Sequence, residues 1–298
     1  MSVARVGSGV VGSLDGPRRD RRGALRRFPI LPLVLLSPLV VFGVLGQAIA
    51  PHDISSFDLG TTLTPPVFMD GGSWSHVLGS DPLGRDTFSL VIAGARASLV
   101  ISLAGVGLAG AIGVLAGIAA GHAGGAVDEI IMRLVDMQLA VPPILLAVLL
   151  AGALGGGLRT LIATIAVSFW PTYARIVRGE TIGLMQRDFV QLAVVAGAGR
   201  FRIARRHLLP NMLSSIVVLA TLQLGAAVGV ESALSFLGLG VRAPDTSWGL
   251  MIADGRGYLD TAWWVATFPG VAIALTVLGA NLLGDWLRDA LDPTMRRR

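Results

Sequence analysis

Apolar residues in this chain come in long blocks, without the strict alternation of a barrel strand. Six blocks stand out, at roughly 30–50, 97–120, 138–156, 159–178, 212–233 and 262–284, each near the ~20 residues that a helix needs to cross a bilayer. In lipid every backbone amide must be paired within the chain, so such spans are predicted to be helices. The expected fold class is an all-α polytopic membrane protein with six transmembrane helices. Composition agrees, since 53% hydrophobic residues, 14% charged residues and a mean hydropathy of +0.71 lie outside the soluble range.

Orientation rests on arginine, because the chain contains no lysine. Arg18, Arg19, Arg21, Arg22, Arg26 and Arg27 precede the first block, Arg200, Arg202, Arg205 and Arg206 follow the fourth, and Arg296, Arg297 and Arg298 end the chain. With six spans these groups share one side, while Arg85, Arg96, Arg242 and Arg256 lie among acidic residues on the other. Basic loops stay inside, so both termini are expected in the cytoplasm. The net charge of +5 then reflects topology and gives no reason to expect nucleic acid. The first block, with its arginine-rich flank and Ala48-Ile49-Ala50, imitates a secretory signal. Its apolar run exceeds the ~7–15 residues of a signal core and holds Pro32 and Pro38, so it is expected to remain as an anchor.

The predicted organisation is a disordered basic tail over 1–27, a first transmembrane helix over 28–50, an extracytoplasmic segment over 51–94, a bundle over 95–288 and a cytoplasmic tail over 289–298. Within the bundle, Gly105, Ala109, Gly113, Gly117 and Gly121 recur every four residues, as do Thr221, Gly225, Gly229 and Ala233. Small residues on one stripe let another helix come close, so both stripes are expected to serve helix packing. Gly105-x-Gly107-x-x-Gly110 has dinucleotide-site spacing but lies in an apolar helix with no strand before it, which removes that meaning.

The search for chemistry finds no catalytic set, cofactor site or metal site. A phosphate-binding P-loop needs its lysine, and there is none. His52, His76, His122 and His207 are scattered without metal-ligand spacing, cysteine is absent, and no G-x-S-x-G elbow occurs. Ion-coupled carriers place ionisable residues in mid-membrane. Here Arg175 and Glu231 come nearest, each close to a span end, and both are expected to snorkel to water.

Two polar loops carry more. The run Asp81-Pro82-Leu83-Gly84-Arg85-Asp86 belongs either to a loop folded over the bundle or to a surface that receives a delivered substrate. The loop at about 179–211 contains Asp188, Phe189, Val190, Leu192, Ala193, Val194 and Ala196 in the pattern of a short amphipathic helix. Gly197 and Gly199 are expected to end it, a basic run to follow, and Pro210 to open the fifth span. Charge alone suits contact with lipid headgroups. An apolar stripe on a short loop helix must also be covered, and a groove on a partner does so.

This loop resembles the E-A-A-x-x-x-G-(x)9-I-x-L-P element of bacterial ATP-binding-cassette importer permeases, which docks into the ATPase subunit. Gln191, Leu192 and Ala193 stand at its E-A-A, Gly197 at its glycine, His207 at the position often Ile, and Leu209-Pro210 at its L-P. Gln191 lacks the carboxylate and Leu192 is bulkier than alanine. Phe189, Arg200, Arg205 and Arg206 complete the expected contact set. Three further runs are similar to the dipeptide and oligopeptide branch, C type: Asp81 to Asp86 with Gly94 to Leu99, Ser235 to Gly240 with Pro244 and Ser247-Trp248-Gly249, and Asn281 to Pro293. The resemblance implies a type I importer transmembrane domain moving peptides by alternating access. It also implies a second homologous permease subunit, two cytoplasmic ATPases that use ATP and magnesium, and an extracytoplasmic binding protein, with no cofactor on this chain. Asp81, Arg85, Asp86 and Trp248 are then the expected receiving surface. A passive channel, an ion-coupled carrier, a membrane anchor, or the same importer class with nickel complexes or another small cargo are the alternatives.

Overall fold

The computed structural model describes residues 29–242 and 245–291. The predicted tail at 1–27, most of that at 289–298, and Pro244 lie outside the described residues. Those described hold α1 (Ile30–Leu45), α2 (Thr87–Ala123), α3 (Gly125–Leu139), α4 (Pro143–Leu154), α5 (Leu158–Met185), α6 (Asp188–Val195), α7 (Arg200–Ile203), α8 (Leu209–Phe236), α9 (Trp248–Gly255) and α10 (Trp264–Leu291). The predicted all-α class is the observed one.

Among the described residues, four stretches are single helices long and apolar enough to cross a membrane: α2, α5, α10, and α8 together with the turns before it, from Arg200. The predicted third span, 138–156, holds little more than the 12-residue α4, which is set at 90° to α3 before it. Val141-Pro142-Pro143 supplies the reason, since two successive prolines lack the amides a continuous helix needs. α1 has 16 residues, about 24 Å of helix at ~1.5 Å per residue, against a hydrocarbon layer of ~30 Å. The fifth span also differs from expectation. Arg200–Ile203 and a π-helical stretch, Ala204–Leu208, run directly into α8, so the basic residues are helical and Pro210 lies in its first turn. Pro210 has no amide to continue the ladder, and the regular bonding is already interrupted just before it, where the Leu209 amide bonds the Ala204 carbonyl in the π-helical stretch.

The bundle is built on α2 against α5. A Cβ added at Gly105 would lie 2.7 Å from Ile165, at Gly117 2.7 Å from the Ala174 carbonyl, and at Gly121 2.7 Å from Thr181; at Gly113 it would meet Tyr173 and the Trp170 carbonyl. Bare backbone at these four positions is what lets the helices touch. Gly225 packs toward Ala280 of α10, whereas a Cβ on Gly229 would meet nothing within 4 Å, so packing within the chain gives Gly229 no role. α3 is lashed across α5 by the Asp128–Arg178 ion pair at 2.5 Å, the Asp136–Arg175 pair and a 3.0 Å bond from the Trp170 indole to Gln138. Arg175, expected to snorkel, keeps a half-exposed side chain and meets the equally exposed Asp136 of the neighbouring helix. α8 is the least covered long helix, with 17% of its most apolar window buried against 56% for α5.

Candidate functional site

At one end of the bundle, α6 stands off the long helices on a short reach of chain. Only Val190 of α6 is buried, in a small core with Val177, Ile203, Leu208 and Met212. The opposite faces stay open: Phe189 is 43% exposed, Leu192 69%, Val195 85%, and Phe201 beyond the turn 78%. These fractions are high enough that the apolar stripe is unburied by the chain itself.

The end of α6 follows from one residue. Gly197 has φ +77°, its amide bonds the Val194 carbonyl at 2.9 Å, and the Ala198 amide bonds the Ala193 carbonyl at 3.0 Å. That pair of bonds is a Schellman cap, and its left-handed residue is normally glycine. Gly199 does not end the helix as expected, because it starts α7 from extended backbone. After the cap, Arg200, Arg202, Arg205 and Arg206 project from the turns that lead into α8, with Leu209 and Pro210 also exposed. Gln191 turns back to the Met185 carbonyl at 2.7 Å, Ala193 is half-buried, and the His207 ring lies 6.2 Å from that of Phe189. The loop residues singled out from the sequence therefore share one protruding, apolar and basic surface.

At the other end, the predicted receiving residues turn inward. Asp81, 3% exposed, accepts from the Leu83 and Arg85 amides at 2.8 Å and from Arg85 Nε at 2.7 Å. Asp86 caps α2 by accepting from the Ser89 amide at 2.9 Å. Trp248 is fully buried and donates its indole N–H to the Val91 carbonyl at 2.8 Å. Three of the four expected receiving residues are thus buried, with Arg85 partly buried beside Asp81, and the receiving surface is corrected accordingly. What does face out is Phe57, Leu59, Phe68 and Trp74, the last 82% exposed. Desolvation lifts the Asp254 carboxyl above its ordinary range, with the Arg85 charge opposing and the Asp81 charge adding to that.

Sequence reasoning missed two constellations here. Glu231 does not snorkel. It is fully buried, with Ser235 Oγ at 2.7 Å, Ser98 Oγ at 3.1 Å and Ser232 Oγ at 3.4 Å, and so ties α8 to α2. Serines at 231+1 and 231+4 were visible one turn around the carboxylate, and Ser98 was not. The second is histidine: His52 and His76, scattered in sequence, meet at Asp86, with the three ligand atoms within 4.8 Å of one another.

Residues 113–297 match the family described as binding-protein-dependent transport system inner membrane component. The chain is 42% identical over 264 residues to the di/tripeptide transport system permease protein DppC of Pseudomonas aeruginosa, covering 88% of this chain and 87% of the relative. It is 40% identical over 278 residues to the dipeptide transport system permease protein DppC of Bacillus subtilis, covering 93% and 85%. It is 41% identical over 279 residues to the glutathione transport system permease protein GsiD of Escherichia coli O157:H7, covering 94% and 89%.

Proposed function

We infer the function from a plain premise: the chain belongs to the family of binding-protein-dependent transport system inner membrane components. It is a multi-pass inner-membrane permease subunit of an ATP-driven importer, and its cargo is short peptides. The relatives named for di/tripeptides, dipeptides and glutathione support that cargo class, since all three are short peptide chains with charged ends.

One observation carries the mechanism. A capped eight-residue helix presents Phe189, Leu192 and Val195 outward beside four arginines, in a chain with no P-loop lysine. An apolar stripe of that size is stable in water only when a partner covers it, and a groove on an ATPase subunit is the occupant that fits an importer. ATP and magnesium are bound by two such ATPases and not by this chain. Their closure pushes α6, and the push enters the bundle directly because the turns after the cap continue into α8 without a break. α8, mostly uncovered by its own chain, faces a second homologous permease subunit. Peptide from an extracytoplasmic binding protein enters between the two when the bundle opens outward. The binding protein settles on the outer apolar residues Phe57, Leu59, Phe68 and Trp74.

The test is Gly197→Val. A β-branched residue cannot hold φ +77° without strain, so the cap fails and α6 loses its orientation. The variant is expected to reach the membrane and to lose co-purifying ATPase, and bound ATPase at the native level overturns the reading.

Both termini and α6 are cytoplasmic in this reading. The native chain has no cysteine, so Ser75→Cys and Arg202→Cys can each be probed with an impermeant thiol reagent on sealed cells. Ser75→Cys is expected to react and Arg202→Cys to react only after the membrane is opened. Labelling of Arg202→Cys in sealed cells puts α6 on the wrong side for an ATPase and refutes the mechanism.

A further inference from the structure

The outer segment gathers His52, His76 and Asp86 from three places in the chain. His52 follows α1, His76 lies in the middle of the segment, and Asp86 is the residue that caps α2. His52 Nδ1 lies 3.5 Å from Asp86 Oδ2, and His76 Nδ1 lies 3.5 Å from Asp86 Oδ1. These separations are longer than the ~2.7–3.2 Å of a normal hydrogen bond. The His76 Nδ1–Asp86 Oδ1 separation is near the roughly 3.3–3.4 Å edge between ligands of a tetrahedral ion with bonds of ~2.0–2.1 Å, and one ligand atom from each of the three residues lies within 4.8 Å of the others.

A second observation points the same way. His76 is 8% exposed and Asp86 4%, and His76 Nδ1 and Asp86 Oδ1 are both buried without a hydrogen-bond partner. Orphaned buried polar atoms cost stability unless something binds them. The other carboxylate oxygen is already fixed by the Ser89 amide and hydroxyl, and Ser89 Oγ in turn accepts from the His52 amide at 3.1 Å. The carboxylate is thus oriented from behind, as a ligand is by the groups around a metal site. His52, with a side chain 40% exposed, gives access from solvent and leaves room for water as a fourth ligand.

We propose that His52, His76 and Asp86 form a binding site for a divalent first-row transition ion, of which zinc is the probe, that staples the outer segment to the start of α2. Two imidazoles and one carboxylate suit zinc and its neighbours, whereas calcium and magnesium require oxygen donors throughout. The ion joins residues that are 24 and 10 positions apart in sequence, so binding closes two loops and adds directly to the stability of the segment. The site does not rest on the transport reading, because it is measured on the single chain.

The full chain, purified in detergent without a polyhistidine tag and stripped with EDTA, is titrated with zinc chloride against a chromophoric chelator. One zinc per chain with a Kd below roughly 1 µM is expected, together with a Tm rise of about 5 °C at saturating zinc. His52→Ala, at a half-exposed position that tolerates truncation, is expected to weaken binding at least tenfold and abolish the Tm rise. Asp53→Asn, on the exposed carboxylate next door, should change neither. His76→Ala should lose the site in the same way; if that variant fails to fold, His52→Ala decides alone. Absence of stoichiometric zinc, or equal affinity in His52→Ala, means an adventitious ion only and overturns the proposal. So does a Tm that saturating zinc leaves unchanged.

Discussion

The two loop regions at opposite ends of the bundle end differently. Both are short, both mix charges with apolar residues, and both were expected to face a partner. Around α6 the expected residues do face out, with Leu192 69% and Val195 85% exposed. In the outer segment Asp81 and Asp86 are 4% exposed or less, and Trp248 of α9 is fully buried. The difference lies in backbone demand. α6 is a regular helix whose amides are paired internally, so its side chains remain free for a partner. Residues 51–86 contain one 3-10 turn and many bends with no regular ladder, so their polar side chains are consumed in pairing loose amides and carbonyls. In a membrane protein's loops, charge is therefore a poor guide to a partner surface, and an apolar side chain that the chain itself leaves in water is a better one.

The strongest way to break this comparison is to remove Trp248. Truncation to alanine empties a fully buried site and removes the indole bond to the Val91 carbonyl, a loss of about 3–5 kcal/mol. Thermal unfolding in detergent should show a large fall in Tm for Trp248→Ala, and a change within about 0.5 kcal/mol for Trp74→Ala, whose side chain is mostly in water. Equal, small effects of the two would mean that Trp248 is a surface residue after all.

How much could be read in advance depended on the range of the interaction concerned. The α2 stripe was legible at Gly105, Gly113, Gly117 and Gly121 because a four-residue repeat places all of them on one face, and the same local logic located α6 and its stop at Gly197. The break between α3 and α4 was hidden because a hydropathy block averages over Pro142 and Pro143, which change direction without changing polarity. Gly229 shares its repeat with Gly225, yet only Gly225 finds a helix, since a repeat specifies a face and says nothing of whether that face is covered. Glu231 was misread because its nearness to a span end suggested water, while Ser98, which helps bury it, is 133 residues away. The meeting of His52, His76 and Asp86 was invisible for the same reason.

A smaller effect sharpens the contrast at the other end. Leu192→Asp adds a charge where the side chain already lies in water, so Tm should move by no more than about 1–2 °C. Docking should suffer, because a carboxylate would have to be desolvated in an apolar groove. Affinity for the ATPase, titrated with purified subunits, is expected to fall at least tenfold. A matching fall in Tm would show that Leu192 supports the fold and leave the docking role unsupported.

The smallest expected effect separates conformation from space at Gly197. A Cβ there would meet nothing within 4 Å, so room is available for any modest side chain. What the site demands is φ +77°, which costs an alanine about 1 kcal/mol and costs asparagine less, because its short polar side chain tolerates the left-handed region. Binding of the ATPase should therefore rank Gly197→Asn above Gly197→Ala, with alanine down by a factor of about five for ~1 kcal/mol and valine lower still. This order runs against side-chain size for the first two, since asparagine is the larger. Measured affinities that instead follow size, alanine above asparagine, would show that an ATPase surface closes over Gly197 and that steric room, not the Schellman cap, is what the glycine provides.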